Sequence, residues 1–242
     1  MNILILGHRG MLGHVVHKYL AEQGHNVSTL ESRFPSKEFA FQVLNYSGDY
    51  IVNCIGAIPQ KTKNFNINTE LPIWLSDNAV ARVVHPGTDC EIDEDEYGVS
   101  KRTARDYIVN SSNNTKIIRA SIIGPELGSK DSLLEWFLGS TGEVRGYTNA
   151  MWNGITTLEW AKQCNNLLHN WDNYSQETIV EGTCLSKYNL LSLIKEVFNT
   201  DINISPDDTV GVDKCLKGSV KAPNIKEQLE QLKEYCYNGS TK

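Results

Sequence analysis

The sequence predicts an α/β fold, in which a doubly wound parallel sheet carries helices on both faces and a smaller C-terminal lobe follows. Short apolar runs alternate with longer amphipathic ones over the first half of the chain, which is typical of right-handed βαβ units. After Pro125 this alternation gives way to a series of helical stretches. We therefore expect a first domain at residues 1–125 and mainly a smaller lobe at 126–242, with allowance for some of its elements returning to the first domain.

Five short apolar runs in the first half are predicted to be strands. They are Ile3–Leu6, Val27–Leu30, Tyr50–Ile55, Arg82–His85 and Lys116–Arg119. The segments between them space their apolar residues as a helix with one buried face does. These helices are predicted at Met11–Gln23, 36–45 (helical or irregular), Ile67–Asn78 and Tyr97–Val109, and further ones near 131–139, 155–169, 189–198 and 224–235, with short extended pieces between them.

A glycine-rich turn follows the first predicted strand and opens the first predicted helix. In that context Gly7 allows the tight turn, Gly10 lets the backbone approach a pyrophosphate, and Gly13 lets the helix pack close to the strand. The N–H groups of the helix start, at Met11 and Leu12, attract phosphate. The turn thus predicts a Rossmann-like domain that binds a nucleotide. The alternative is a turn whose glycines serve packing alone.

Tyr97 and Lys101 form a second candidate site on the predicted helix after the fourth strand. Residues four apart lie on one face of a helix, so the ammonium of Lys101 can approach the phenol of Tyr97. A nearby cation lowers the pKa of a phenol and makes it usable as a general acid or base. Lys101 can also bind the nicotinamide ribose. The alternative is an unrelated surface pair, but the position behind a glycine turn and four strands favours a site.

Charge and composition argue against several classes of protein. Lys and Arg number 23 against 29 Asp and Glu, for a net charge of −6, whereas a nucleic-acid binder usually presents a basic face. No stretch approaches the roughly 18 apolar residues of a membrane span, and the N-terminus lacks a basic leader. We expect a cytoplasmic protein without nucleic-acid or membrane partners. Its six cysteines show no zinc-ligand spacing, so we expect reduced thiols and no metal site.

The glycine string GHRGMLG, with GxxGxxG spacing, and the YxxxK pair together resemble the extended short-chain dehydrogenases/reductases. The glycine string in particular is similar to the start of GDP-fucose synthases and dTDP-4-dehydrorhamnose reductases. Reductases of the rhamnose type carry a Ser-Thr-Asp string after the fourth strand. The resemblance therefore implies that Thr88 is the third catalytic residue with Tyr97 and Lys101, although Gly87 stands where the family has serine.

The same resemblance bears on the choice between NAD and NADP. Glu31, at the end of the second strand, would bond ribose hydroxyls and repel a 2′-phosphate, whereas arginine does the opposite. Arg9 and Arg33 match arginines that hold the 2′-phosphate in the GDP-fucose synthase pattern. We therefore expect NADP to be favoured over NAD.

Further site residues are implied by the resemblance. The cofactor-binding set is Gly7, Arg9, Gly10, Met11, Leu12, Gly13, Arg33, Cys54, Ile55, Gly56, Lys101 and Ser121. The substrate-binding set is Thr88, Asp89, Tyr97, Trp152 and Asn153. Asn68 falls where the family often places an asparagine with a structural or water-holding task.

One segment departs from the family pattern. Only eight residues, Asp89–Glu96, separate Thr88 from Tyr97, where the family has a longer loop that helps to form the substrate pocket. Six of them form an acidic run, Glu91–Glu96, which we expect to be a solvated loop; a metal site is the alternative. The shorter loop leaves open a wider pocket or a loss of catalysis.

The sequence thus predicts an NADPH-dependent reductase of a nucleotide-linked 4-keto-6-deoxy sugar, in activated-sugar or polysaccharide biosynthesis. One alternative is a sugar-nucleotide epimerase with tightly bound NAD(P). Another is a non-catalytic, NADP-binding regulator on the same fold. The resemblance also makes a homodimer an option, because dimers through a helix face are common in the family.

Overall fold

The computed structural model describes residues 1–111 and 114–238, which fall into two compact units. The first unit comprises Met1–Arg119 and Ala161–Thr178, and the remaining described residues form the second. Residues 161–178 therefore pack with the first unit rather than with the smaller lobe. Two buried hydrogen bonds hold them there: the Tyr50 hydroxyl donates to the Leu168 carbonyl (2.9 Å), and Lys116 Nζ donates to the Trp171 carbonyl (2.6 Å).

The chain alternates strands and helices along most of its length. The strands are β1 (Asn2–Leu6), β2 (Asn26–Thr29), β3 (Tyr50–Asn53), β4 (Arg82–Gly87), β5 (Thr115–Arg119), β6 (Ile122–Ile123), β7 (Glu143–Trp152), β8 (Ile155–Thr156), β9 (Glu177–Glu181), β10 (Leu185–Ser186), β11 (Asn203–Asp213) and β12 (Val220–Lys221). The helices are α1 (Met11–Glu22), α2 (Lys37–Leu44), α3 (Asn66–Asn78), α4 (Glu96–Ser111), α5 (Leu133–Leu138), α6 (Thr157–His169), α7 (Lys187–Phe198) and α8 (Ile225–Lys233). Short helical turns lie at Asp89–Ile92, Trp171–Asn173 and Glu234–Asn238. Within the described ranges, no helix is long and apolar enough to cross a membrane.

The largest sheet has seven strands in the order β12-β9-β5-β4-β3-β1-β2. β1 pairs in parallel with β2 and β3, β3 pairs in parallel with β4, and β4 with β5. Because consecutive parallel strands need a crossover, helices α1, α3 and α4 run between them. The mostly parallel sheet with flanking helices confirms the predicted Rossmann-like α/β fold.

The inner strands β1, β3 and β5 of the first unit are buried, as the central strands of a parallel sheet are, whereas β2 at the end of the sheet is partly exposed. Ile3–Leu6 of β1 and Ile51–Asn53 of β3 are at most 1% exposed. One apolar cluster joins these strands to α2 and α3; its buried members are Leu4, Leu6, Phe39, Val43, Ile51, Leu71, Leu75, Ala79, Ala81 and Val83. This core fixes the positions at which β1, β3 and β4 end.

The second unit contains two long strands that the sequence does not reveal. β7 and β11 span ten and eleven residues and pair in parallel, so the prediction of only short extended pieces is wrong. Pro206, Asp207 and Asp208 interrupt the apolar alternation of β11, and these residue types are rare in strands. The register shifts between Asp207 and Gly211, which marks the same interruption as a bulge.

A disulfide joins Cys184 and Cys215, so the prediction that all six cysteines are reduced is wrong for this pair. All six lie in the described part of the chain, and the other four remain thiols. The strand register explains the pairing, because Ser186 of β10 and Asp213 of β11 both lie opposite Met151 of β7. Each cysteine is two residues from one of these positions. A separation of 31 residues in sequence gives no hint of this proximity.

We predict that thiol titration of the unfolded protein without reductant detects four thiols, and six after reduction. Replacing both Cys184 and Cys215 by serine should lower the free energy of unfolding by about 2–4 kcal/mol, since the bond restricts the unfolded chain. Cys236→Ser removes a cysteine without removing a crosslink and serves as the control. Six thiols before reduction would show that the bond does not form.

Candidate active site

The glycine turn after β1 is a tight structure that brings α1 against it. Gly7 has φ +79°, the left-handed region that glycine adopts without strain. The Gly10 N–H donates to the Gly7 carbonyl (2.9 Å), and a Cβ on Gly13 would overlap that same carbonyl oxygen. A side chain at position 13 would therefore push α1 away from the turn.

The start of α1 offers unused backbone donors. Gly10 is its extended N-cap residue, and no side chain of the described residues caps the helix. Leu12 is buried and anchors the helix to the core, whereas Met11 is half-buried and Gly10 is exposed. Backbone N–H groups at such an exposed helix start, together with the helix dipole, suit an anion.

The segment after β3 lies directly beside the glycine turn. A Cβ on Gly7 would lie 2.9 Å from Ile55 Cγ1 and 3.0 Å from the Cys54 carbonyl carbon. β3 ends at Asn53, two residues before the predicted end, where the Asn53 side chain accepts the Ile55 N–H (3.1 Å). Burial raises the pKa of the Cys54 thiol, so this cysteine stays protonated and unreactive at neutral pH.

Arg9 and Glu31, which argue for opposite cofactors, are paired with each other. Arg9 Nη2 lies 2.9 Å from one carboxylate oxygen of Glu31 and 2.8 Å from the other. Both side chains are exposed, at 74% and 67%. Arg33 is also exposed, in the loop after β2, where its carbonyl accepts the Ser36 N–H. In the structure the Glu31 carboxylate is therefore paired with the Arg9 guanidinium, a contact that the sequence alone does not show.

Asn68 of α3 ties the segment after β3 to α4. Its side-chain amide accepts the Ala57 N–H (2.7 Å) and donates to the Ala57 carbonyl (3.0 Å) and to the Ser100 hydroxyl (3.3 Å). Asn68 is 1% exposed. These bonds support the structural rather than the water-holding interpretation of this residue.

The predicted Tyr97 and Lys101 pair lies in the first two turns of α4. Tyr97 is half-buried and packs its ring edge-on against Phe65, with centroids 5.6 Å apart. Lys101 is 8% exposed, and its ammonium lies 3.4 Å from the Pro86 carbonyl and 3.9 Å from where a Cβ on Gly56 would lie. Lys101 therefore lies between the end of β4 and the segment after β3.

The pKa of Tyr97 differs from the prediction. Burial raises it above the usual 10.0, the acidic groups of Cys90, Asp89 and Glu91 add to the rise, and a hydrogen bond with the Thr88 side chain opposes it. The predicted lowering by Lys101 is therefore wrong for this structure. Burial also lowers the pKa of Lys101 itself. The cost of desolvating the phenolate outweighs the attraction of a cation one turn away.

Thr88 begins the short helical turn Asp89–Ile92 as its N-cap. Its hydroxyl oxygen accepts the Cys90 N–H (3.3 Å), and its hydroxyl group donates to Asp89 Oδ1 (3.0 Å). The Glu91 side chain accepts the Thr88 N–H in return (2.9 Å), which completes a capping box. Asp89, predicted to bind substrate, is 4% exposed and engaged with Thr88.

The eight residues between Thr88 and Tyr97 form a compact turn against α4. A Cβ on Gly98 would overlap the carbonyl oxygens of Cys90 and Asp93, so glycine inside the YxxxK string permits this contact. Glu91 is 3% exposed, and the prediction of a solvated acidic loop is therefore wrong at this residue. Arg119 explains its burial, because the guanidinium Nε lies 3.2 Å from Glu91 Oε2.

Three predicted site residues, Ser121, Trp152 and Asn153, lie in the second unit and form their hydrogen bonds within it. The Trp152 indole N–H donates to the Ser121 hydroxyl (2.7 Å), and Trp152 is 2% exposed. The Asn153 side chain donates to the Leu216 carbonyl (2.7 Å) and accepts the Leu216 N–H (2.8 Å). The polar side-chain atoms of all three are thus occupied within this unit, and their contacts with cofactor or substrate stay predictions.

Glu91 and Arg119 are the site residues that sequence reasoning missed. The signal for Glu91 was present, because Thr88 followed three residues later by a glutamate is the capping-box pattern. Arg119 could not be found in this way, since only the pairing of β4 with β5 puts it opposite Gly87.

Comparison with solved structures agrees with this fold. A dTDP-4-dehydrorhamnose reductase (RfbD ortholog) from Clostridium acetobutylicum has 16% sequence identity and a TM-score of 0.77, covering 97% of this chain and 99% of that one. The dTDP-4-dehydrorhamnose reductase from Bacillus anthracis, in complex with NADP, has 15% identity and a TM-score of 0.79, with the same coverage. A UDP-N-acetylglucosamine 4-epimerase from Bacillus cereus has 17% identity and a TM-score of 0.71, covering 96% of this chain and 98% of that one. At these identities the likeness concerns the fold.

Comparison with curated proteins returns no match. The sequence does match a family model, over residues 3–117, that of the NAD dependent epimerase/dehydratase family. The matched range begins in β1 and ends in β5, so it contains the glycine turn, Thr88, Tyr97 and Lys101. The match covers slightly less than half of the chain, and together with the mostly parallel sheet it supports an NAD(P)-dependent enzyme of the oxidoreductase type.

Proposed function

We propose that this protein is an NADPH-dependent reductase of a nucleotide-linked 4-keto-6-deoxy sugar. One observation carries the proposal: Thr88 and Lys101 both lie at the end of β4, beside the segment that flanks the glycine turn, and Tyr97 lies one turn before Lys101 on α4. Thr88 hydrogen-bonds Tyr97, and Lys101 reaches the Pro86 carbonyl and the segment beside Gly7. The fold shared with two dTDP-4-dehydrorhamnose reductases, one solved with NADP, adds support.

The residues present fit a dinucleotide. The turn at Gly7, Gly10 and Gly13 forms a cradle in which side chains would collide, and the uncapped start of α1 offers N–H groups to the pyrophosphate. Lys101 would bind the nicotinamide ribose. When bound, NADPH would supply the hydride.

The protein's own task is then to position the carbonyl and supply a proton. Because its pKa is raised, the Tyr97 phenol stays protonated at neutral pH, which suits an acid that donates to the carbonyl oxygen during reduction. The Thr88 hydroxyl would donate to the same oxygen after its proton turns away from Asp89 Oδ1, to which it donates in this structure. The buried ammonium of Lys101 would stabilise the negative charge that develops there.

The contact between Arg9 and Glu31 supports NADP over NAD. With its carboxylate bound by a guanidinium, Glu31 repels a 2′-phosphate less than a bare carboxylate does. Arg9 still has donors to offer a phosphate, and Arg33 lies exposed in the loop after β2 that also holds Glu31. Arg9 and Arg33 together carry one more positive charge than Glu31 can balance, so these three side chains have a net positive charge.

An epimerase is the second candidate, favoured by the family match and by the shared fold of the Bacillus cereus epimerase. Such an enzyme uses the same tyrosine first as a base and then as an acid, with a cofactor that it retains. It would be isolated with NAD(P) bound and would consume no NADPH. A raised pKa at Tyr97 is less suited to the base step.

We predict that fluorescence titration shows tighter binding of NADPH than of NADH. Arg9→Ala and Arg33→Ala should each weaken NADPH binding by about tenfold, as expected for the loss of a charge-assisted hydrogen bond. Arg9→Ala should also lower the ratio of NADPH to NADH affinity more than Arg33→Ala does, because it leaves the Glu31 carboxylate without its arginine partner. Arg145→Ala is the control, since this arginine of the second unit is equally exposed, at 75%. Tighter binding of NADH by the wild type would contradict the cofactor assignment.

We predict that kcat/KM for reduction stays level from neutral pH to about pH 10, because the raised pKa keeps Tyr97 protonated over this range. Activity would be lost at higher pH, as the phenol ionises and as Lys101, whose pKa burial lowers, gives up its proton. Tyr97→Phe should lower kcat by about 100-fold or more with NADPH affinity unchanged. Tyr107→Phe is the control, because this exposed tyrosine on α4 donates its hydroxyl to Asp77. A fall in kcat/KM centred at about pH 7 to 8 would indicate a phenol ionised near neutrality and refute this role.

A further inference from the structure

A buried ion pair lies behind Thr88. The Glu91 side chain is 2% exposed and that of Arg119 10% exposed, and Arg119 Nε lies 3.2 Å from Glu91 Oε2. Glu91 belongs to the short helical turn after β4, and Arg119 is the last residue of β5.

We infer that Glu91 and Arg119 are positioning residues that hold Thr88 for catalysis, an inference that rests on the proposed function. The Glu91 carboxylate accepts the Thr88 N–H (2.9 Å), and Arg119 Nε donates to the Thr88 carbonyl (2.9 Å). Both polar groups of the Thr88 backbone are thus held by partners that also attract each other. Such charge-assisted bonds in a buried setting fix the residue more firmly than neutral ones.

The strand register keeps the ion pair in place. Gly87 lies directly opposite Arg119 where β4 pairs with β5. A Cβ on Gly87 would lie 3.0 Å from Arg119 Cβ and Cγ and 3.0 Å from Glu91 Oε1. The ion pair therefore occupies the space that a side chain at position 87 would need. This explains why a glycine precedes Thr88.

The ion pair also connects Thr88 with the helix that carries Tyr97 and Lys101. Arg119 Nη1 lies 3.6 Å from Glu177 Oε1. Glu177 in turn accepts two hydrogen bonds, of 2.9 and 3.0 Å, from Arg105 of α4. Arg105 lies one turn beyond Lys101 on that helix. A chain of four alternating charges thus links the backbone of Thr88 to α4.

A double-mutant cycle with Thr88 tests this inference. Glu91→Ala should lower kcat for the keto sugar by about 10- to 100-fold, as expected for a misplaced reacting group, with the Kd for NADPH unchanged. Glu91→Gln, which can still accept the Thr88 N–H, should lose less. If Glu91 acts through Thr88, adding Glu91→Ala to Thr88→Ala costs little more than Thr88→Ala alone. Additive losses would overturn the inference. If Glu91→Ala does not fold, the same cycle is run with the isosteric Glu91→Gln.

The matched control is Glu94→Ala, three residues further along, because the Glu94 side chain is 83% exposed. This variant should keep the wild-type kcat. A loss as large as that of Glu91→Ala would mean that charge in the segment, rather than the contact with Thr88, matters, and would overturn the inference.

Hydrogen exchange at the Thr88 amide provides a readout that needs no turnover. Exchange should speed up in Glu91→Ala by about tenfold or more and stay at the wild-type rate in Glu94→Ala. If the wild type reduces no nucleotide-linked keto sugar, the proposed function fails, yet faster exchange at Thr88 still supports the positioning. Unchanged exchange at Thr88 in Glu91→Ala overturns the positioning whatever the activity.

Discussion

Parallel pairing of β1, β3, β4 and β5 is the constraint on which the rest of this structure depends. Their registers make Leu6 face Asn53 and Gly87 face Arg119, so all four strands end at one edge. In a parallel sheet that edge is where the chain turns into a helix and where ligands bind. The glycine turn, the segment after β3, Thr88 and Arg119 meet there for this reason, although up to about half the chain separates them in sequence.

The short connection between Thr88 and Tyr97 changes how the site is held together. Eight residues leave little room for a loop, and the connection forms a compact turn against α4, with Gly98 allowing the contact. A carboxylate buried in such a turn needs a cation, and Arg119 supplies it. The same turn explains the raised pKa of Tyr97. Burial disfavours the phenolate, and the nearby acidic groups of Cys90, Asp89 and Glu91 add to the rise.

Features set by local pattern could be predicted from the sequence, and those set by pairing could not. The five strands of the first half, the glycine turn and the helix carrying Tyr97 and Lys101 follow from apolar periodicity and glycine spacing. The long strand β11 was missed because Pro206 and two aspartates disturb its alternation. The Cys184–Cys215 bond and the Glu91–Arg119 pair depend on which strands lie side by side. Within the acidic run, the burial of Glu91 could not be predicted, because its partner Arg119 lies 28 residues further along the chain.

The most direct test of the proposed function is the transfer of deuterium from NADPH deuterated at C4 of its nicotinamide to dTDP-, GDP- and UDP-linked 4-keto-6-deoxy sugars. The products are analysed by mass spectrometry and NMR. A reductase of this kind gives one deuterium at C4 of the sugar for each NADPH oxidised. If the corresponding 4-hydroxy sugar nucleotides, offered in parallel, instead change configuration at C4 with no deuterium incorporated and no NADPH consumed, the account is contradicted and the protein is an epimerase. Absence of any reaction in a protein that binds NADPH tightly would contradict a catalytic role on these sugars altogether.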